Sequence, residues 1–97
     1  MNLSGENIFR LCNSVLTRFE PNLEDGTLFL YNYRTKDLWS LNYSSSILIS
    51  MADGNISLEK IKLNAQKLFE TKDIDALNRS IDILFSDLLK KKMIEKV

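Results

Sequence analysis

The side chains that could do chemistry are few. Two acidic pairs stand out, Glu24-Asp25 and Asp73-x-Asp75, together with a single thiol, Cys12. Paired carboxylates can share a proton or hold a hard cation, and a thiolate can act as a nucleophile. Each has a simpler local reading. Glu24-Asp25 runs into Gly26, a strong turn signal. Asp73 stands where a helix would be capped, and Asp75 falls in that helix's first turn, where negative charge suits the dipole. Nothing near Cys12 in sequence is clearly activating. The chain has no histidine, so the common base near neutral pH is missing, as are Ser-His and Cys-His pairs. One cysteine without histidine excludes the usual zinc sites. Gly5, Gly26 and Gly54 are scattered and make no phosphate-cradling loop. The expectation is a protein that is not an enzyme and uses no metal or cofactor.

The elements must then serve binding. Ninety-seven residues give room for one domain with one modest core, taken as residues 1–97, with 1–13 as an N-terminal extension of unassigned role. Lys plus Arg number 13 and Asp plus Glu number 13. A dedicated DNA-binding domain of this size is usually basic, so the balance argues against nucleic acid and leaves a peptide partner open. A lone cysteine forms no internal disulfide, and the start "MNLSGENIF" lacks a basic, apolar signal. The longest apolar-rich run, residues 47–52, is too short to cross a bilayer. These features predict a cytoplasmic protein with no membrane contact.

"SVLTRFE" and "TLFLYNY" alternate like strands and flank the loop "FEPNLEDGT". In the first, Val15, Thr17 and Phe19 share one face. Leu38, Trp39, Ser40 and Leu41 make a third, short run after the turn "RTKD". Alternation pairs Trp39 with Leu41, and a large aromatic of this kind is expected in the core. Tyr31 and Tyr33 read as sheet packing. "NIFRLC" fits either a strand or a helical turn. Three helices are predicted next. Asn42 caps the first, whose apolar face is Ile47, Leu48, Met51 and Ala52 and which stops at Asp53-Gly54. Ser57 caps the second, with Leu58, Ile61, Ala65, Leu68 and Phe69 on one face. Asp73 caps the third, which buries Ile74, Leu77, Ile81, Leu84, Phe85 and Leu88, leaves Ile83 opposite, and ends near Lys90, Lys91 and Lys92. The expected fold is α+β and winged-helix-turn-helix-like, a three-stranded antiparallel sheet followed by three helices.

The order of these signals resembles the PqqD-like peptide chaperones, the recognition domains for precursors of ribosomally made, modified peptides. The residues that carry it are Leu41-Asn42 at a strand end, Asp53-Gly54 at a helix end, and Leu84, Leu88, Leu89 and Met93-Ile94 toward a short apolar tail. The resemblance covers about residues 15–95. It implies a non-catalytic chaperone that binds a leader peptide as an added strand. The chaperone then presents the precursor to a modifying enzyme, such as a radical SAM enzyme, or to a leader peptidase. It places the leader on the edge of the third strand, along Lys36, Asp37, Leu38, Trp39, Ser40 and Leu41, with the third helix as wall at Leu77, Ile81, Leu84 and Phe85. An unpaired strand edge is a physical reason for this mode. A homodimer is compatible with the sequence. The alternative is a small winged-helix DNA-binding regulator, with "SLEKIKLNAQKLFE" as reader. That helix carries Lys60, Lys62 and Lys67 but no arginine, and Glu59 and Glu70 offset them. A third reading is a small structural subunit.

Overall fold

The computed structural model describes residues 3–97. The elements run β1 (Ile8–Leu11), β2 (Val15–Glu20), β3 (Thr27–Asn32), β4 (Asp37–Asn42), α1 (Tyr43–Ser50), β5 (Asp53–Ser57), α2 (Leu58–Phe69), α3 (Ile74–Lys90) and β6 (Ile94–Lys96). The fold is α+β, with three helices and two antiparallel three-stranded sheets, ordered β2-β3-β4 and β5-β1-β6.

The expected meander is present as β2-β3-β4. Its register is regular from Val15↔Asn32 to Glu20↔Thr27 and from Thr27↔Asn42 to Asn32↔Asp37. Lys36 closes the second hairpin in the left-handed region, at φ 67°. One face of this sheet supplies fully buried Leu30 and nearly buried Leu41 to the core. Trp39 shares that face but is only half-buried, packed against the core's margin. Tyr31 is half-buried on the opposite face, and Tyr33 lies in the turn beyond the strand, 44% exposed.

The second sheet departs from the expected strands-then-helices order. "NIFRLC" supplies its central strand, β1, and Phe9 is fully buried. The first helix ends at Ser50 and not at Gly54, because the backbone of residues 53–57 is captured by β1, pairing Asp53 with Arg10 and Ser57 with Ile8. Three residues of β1 (8–10) span five of β5 (53–57) there, so β5 bulges. Gly54, at φ 86°, takes its left-handed conformation in this bulge instead of in a helix cap. A Cβ at Gly54 would meet only ordinary contacts, so the backbone angle is what favours glycine.

The three helix starts form as the local sequence dictates. Asn42, Ser57 and Asp73 each accept a backbone N–H three residues on, from Ser45 (2.8 Å), Lys60 (3.2 Å) and Ala76 (3.0 Å). Asn42→Ala is expected to lower stability by about 1 kcal/mol, measured by urea unfolding, because α1 has only eight residues and three of its first four are serines.

The helix faces are shorter than their periodicity suggests. Leu68 and Ile74, at facing ends of α2 and α3, are 55% and 44% exposed. Ile49 is buried in α1 while Ile47 is half-buried, since the helix packs over β3 and β4 across a broad surface. Ile81, Phe85 and Leu88 of α3 are fully buried, and Phe85 meets Phe9 edge-on at 5.5 Å between ring centroids. Asn32 is 1% exposed; its side-chain amide donates to the Lys92 carbonyl (2.7 Å) and accepts from Arg34 N–H (3.0 Å). It ties the β3–β4 turn to the chain after α3. That chain ends the helix in a Schellman turn: Met93 N–H bonds the Leu88 carbonyl and Lys92 N–H the Leu89 carbonyl. Lys92 takes the left-handed position, φ 58°, where glycine is usual. Holding a side chain there costs about 1–2 kcal/mol.

Candidate functional site

β4 is an edge of its sheet, and its hydrogen-bond parity follows from two bonds beyond the strands. Tyr33 donates its N–H to the Ser14 carbonyl, so residues 29 and 31 of β3 face β2 as well. Asn32 accepts from Lys36 across the turn, so Leu28 and Leu30 face β4, where their partners are Leu41 and Trp39. The backbone groups of Trp39 and Leu41 are therefore used within the sheet. Those of Leu38 and Ser40 point away from it, toward the open edge. Side chains alternate independently of this. Leu38 (64% exposed) and exposed Ser40 lie on the outer face, where Leu38 aligns with Tyr31 and Leu16 across the three strands. Trp39 and Leu41 lie on the core face.

The other expected contact residues divide sharply. Lys36 is exposed in the turn and Asp37 half-buried at the strand start. On α3, Ile81 and Phe85 have no exposed surface, whereas Leu77 and Leu84 are half-buried against the core. Leu77 and Leu84 keep accessible surface while Ile81 and Phe85 are sealed; α3 packs chiefly on α2 and β6, and the helix against β4 is α1, so the structure does not make α3 the neighbour of β4 that was expected. Ile83 is 61% exposed on the opposite side of α3.

Two clefts are lined by no residue of β4. One, of about 490 Å³, runs between β2 and α1 and is lined by Thr17, Phe19, Leu28, Ile47, Ile49 and Ala52. Residues 16, 18 and 20 of β2 face β3, so Thr17 and Phe19 point their backbone groups outward along this cleft. It is a second strand edge beside an apolar trough, and sequence reading did not single it out. The shared face of Val15, Thr17 and Phe19 was its signal. β2 differs from β4 in carrying Arg18 and Glu20, which pair with each other. Charges of this kind guard an edge against strand addition. The stretch Leu38-Trp39-Ser40-Leu41 has none.

The other cleft, of about 620 Å³, lies beside the Schellman turn. Cys12 lines it, and burial raises the thiol's pKa first, with hydrogen bonding to Glu95 adding to the shift. The thiol is protonated at neutral pH, the opposite of an activated nucleophile. Glu95 itself is held below the usual carboxylate range, chiefly by the hydrogen bond from Arg10 (2.9 Å). Asp73 is occupied as a helix cap, and Asp25 stands in a turn at φ 64°. Among the described residues no three His, Cys, Asp or Glu side chains gather as metal ligands, and no helix is long and apolar enough to cross a membrane. Comparison with protein-family models, with curated proteins and with solved structures gives no match for this chain.

Proposed function

We propose that this is a peptide-binding domain of winged-helix-like design. It takes the leader of a ribosomally made precursor as a strand added to β4 and presents it to a modifying enzyme or leader peptidase in the cytoplasm. The observation that carries the reading is the edge of β4, where the backbone groups of Leu38 and Ser40 point outward on a stretch without charge. An added strand satisfies those groups. Its alternate side chains fall beside Trp39 on one face and beside Leu38 and Ser40 on the other. Roughly four or five backbone bonds at about 0.5–1.5 kcal/mol each, with two apolar anchors at about 1.5–3 kcal/mol each, give on the order of 5–13 kcal/mol before ordering of the peptide. Micromolar affinity, about −8 kcal/mol, sits within that range.

The DNA-binding reading has less support. Lys62 of α2 is engaged with Asp82 of α3 at 2.7 Å, leaving Lys60 and Lys67 beside Glu59 and Glu70 on the exposed side of α2. On α2 itself too few free cations remain for strong phosphate attraction.

Amide hydrogen exchange tests the peptide reading. The probe is the leader peptide of a short reading frame sought beside the gene for this chain. On its addition, exchange at Leu38 and Ser40 is expected to slow at least tenfold. Slowing at Thr17 and Phe19 with Leu38 and Ser40 unchanged would move the site to β2, and no slowing anywhere would remove leader binding altogether.

A further inference from the structure

The cleft beside the Schellman turn has a character the leader reading does not use. The whole chain is balanced in charge, with 13 cationic and 13 anionic residues. Yet Arg34, Lys92 and Lys96 all line this one cleft, together with Asn13 and Ser14. None of the three cations is in an ion pair among the described residues. The one carboxylate in the lining, Glu95, is bonded by Arg10, which reaches it at 2.8 Å and does not line the cleft. Arg10 thereby offsets the only negative charge at the site.

The backbone under two of these exposed cations is also anchored. Arg34 and Lys92 are 58 residues apart in the chain, but buried Asn32 bonds the backbone of both. Lys92 occupies a left-handed backbone position that a glycine would hold without strain. Strained positions of this kind persist where the surroundings over-determine them and often mark function. Arginine adds a planar fork suited to two oxygens at once.

We propose that this cleft is a binding site for an oxyanion, a carboxylate-bearing or phosphate-bearing ligand held by Arg34, Lys92 and Lys96 with Asn13 and Ser14 as polar contacts. No residue of β4 lines it, although Arg34 lies in the turn that leads into that strand, and its ligand binds without the leader. The test is an NMR titration of the full chain with inorganic phosphate and, separately, with succinate, at constant ionic strength. Saturable shifts are expected at the amides of Asn13, Ser14, Arg34 and Lys92 with at least one of the two probes, and the probe that saturates identifies the ligand chemistry. The double variant Arg34→Glu/Lys92→Glu should weaken that affinity at least tenfold, while Lys60→Glu/Lys67→Glu on α2 leaves it unchanged. Should the first variant fail to fold, Lys96→Glu at the exposed end of β6 provides the same comparison. Shifts that stay linear with both probes, or that persist undiminished in the folded cleft variant, would overturn the proposal.

Discussion

Replacing Phe85 with alanine is expected to lower the free energy of unfolding by about 3–5 kcal/mol, as for other buried aromatic truncations. Phe85 is fully buried at the meeting of α3 with β1, and its ring lies edge-on to Phe9 at an interplanar angle of 67°. The truncation removes apolar burial and leaves a void between two elements from opposite ends of the chain. Leu84→Ala, one residue earlier, removes a half-buried side chain and should cost about half as much or less. Urea unfolding of both variants measures the difference. Equal losses would mean that α3 does not pack by the face described.

Proline along β4 is expected to divide into two outcomes by residue parity. At Leu38 and Ser40 the lost N–H points out of the sheet, so the domain should stay folded and leader affinity should fall about fivefold or more, the equivalent of roughly 1 kcal/mol. Edge strands tolerate proline when the missing donor faces solvent. At Trp39 the lost N–H faces β3, where its partner residue Leu30 is completely buried. An orphaned carbonyl there costs about 1–3 kcal/mol, and the domain itself should weaken. Calorimetry with the leader and circular dichroism under urea distinguish the outcomes. Folded Leu38→Pro and Ser40→Pro variants with undiminished affinity would place the peptide on another edge. A Trp39→Pro variant as stable as the parent would refute the parity.

What could be read without coordinates was the part of the fold whose partners lie close in sequence. Asn42, Ser57 and Asp73 announce helix starts because each bonds a backbone group only three residues away. The β2-β3-β4 meander was legible because its turns are short and the strands alternate. The faces of β4 were legible too, but the direction of its backbone groups was not. Side-chain alternation says which residues share a face and nothing about which edge an N–H addresses. That required the hairpin bonds of Tyr33 to Ser14 and Lys36 to Asn32.

"NIFRLC" left strand and helical turn open, and the pairing of the second sheet could not be read, since β1 must find β5 more than 40 residues on and β6 about twice as far. Local signals pointed elsewhere: Asp53-Gly54 has the composition of a helix stop, and only β1 makes it a bulged strand. The same distance hid the burial of Phe9 and the convergence of Arg34 with Lys92. The α3 site residues show the remaining limit. Periodicity placed Leu77, Ile81, Leu84 and Phe85 on one face, but only packing decided that Ile81 and Phe85 are sealed while Leu77 and Leu84 reach the surface. A sequence carries its short-range hydrogen bonds openly, because the competing partners are few. It leaves long-range pairing and depth of burial to the tertiary fold, where every apolar face competes for the same core.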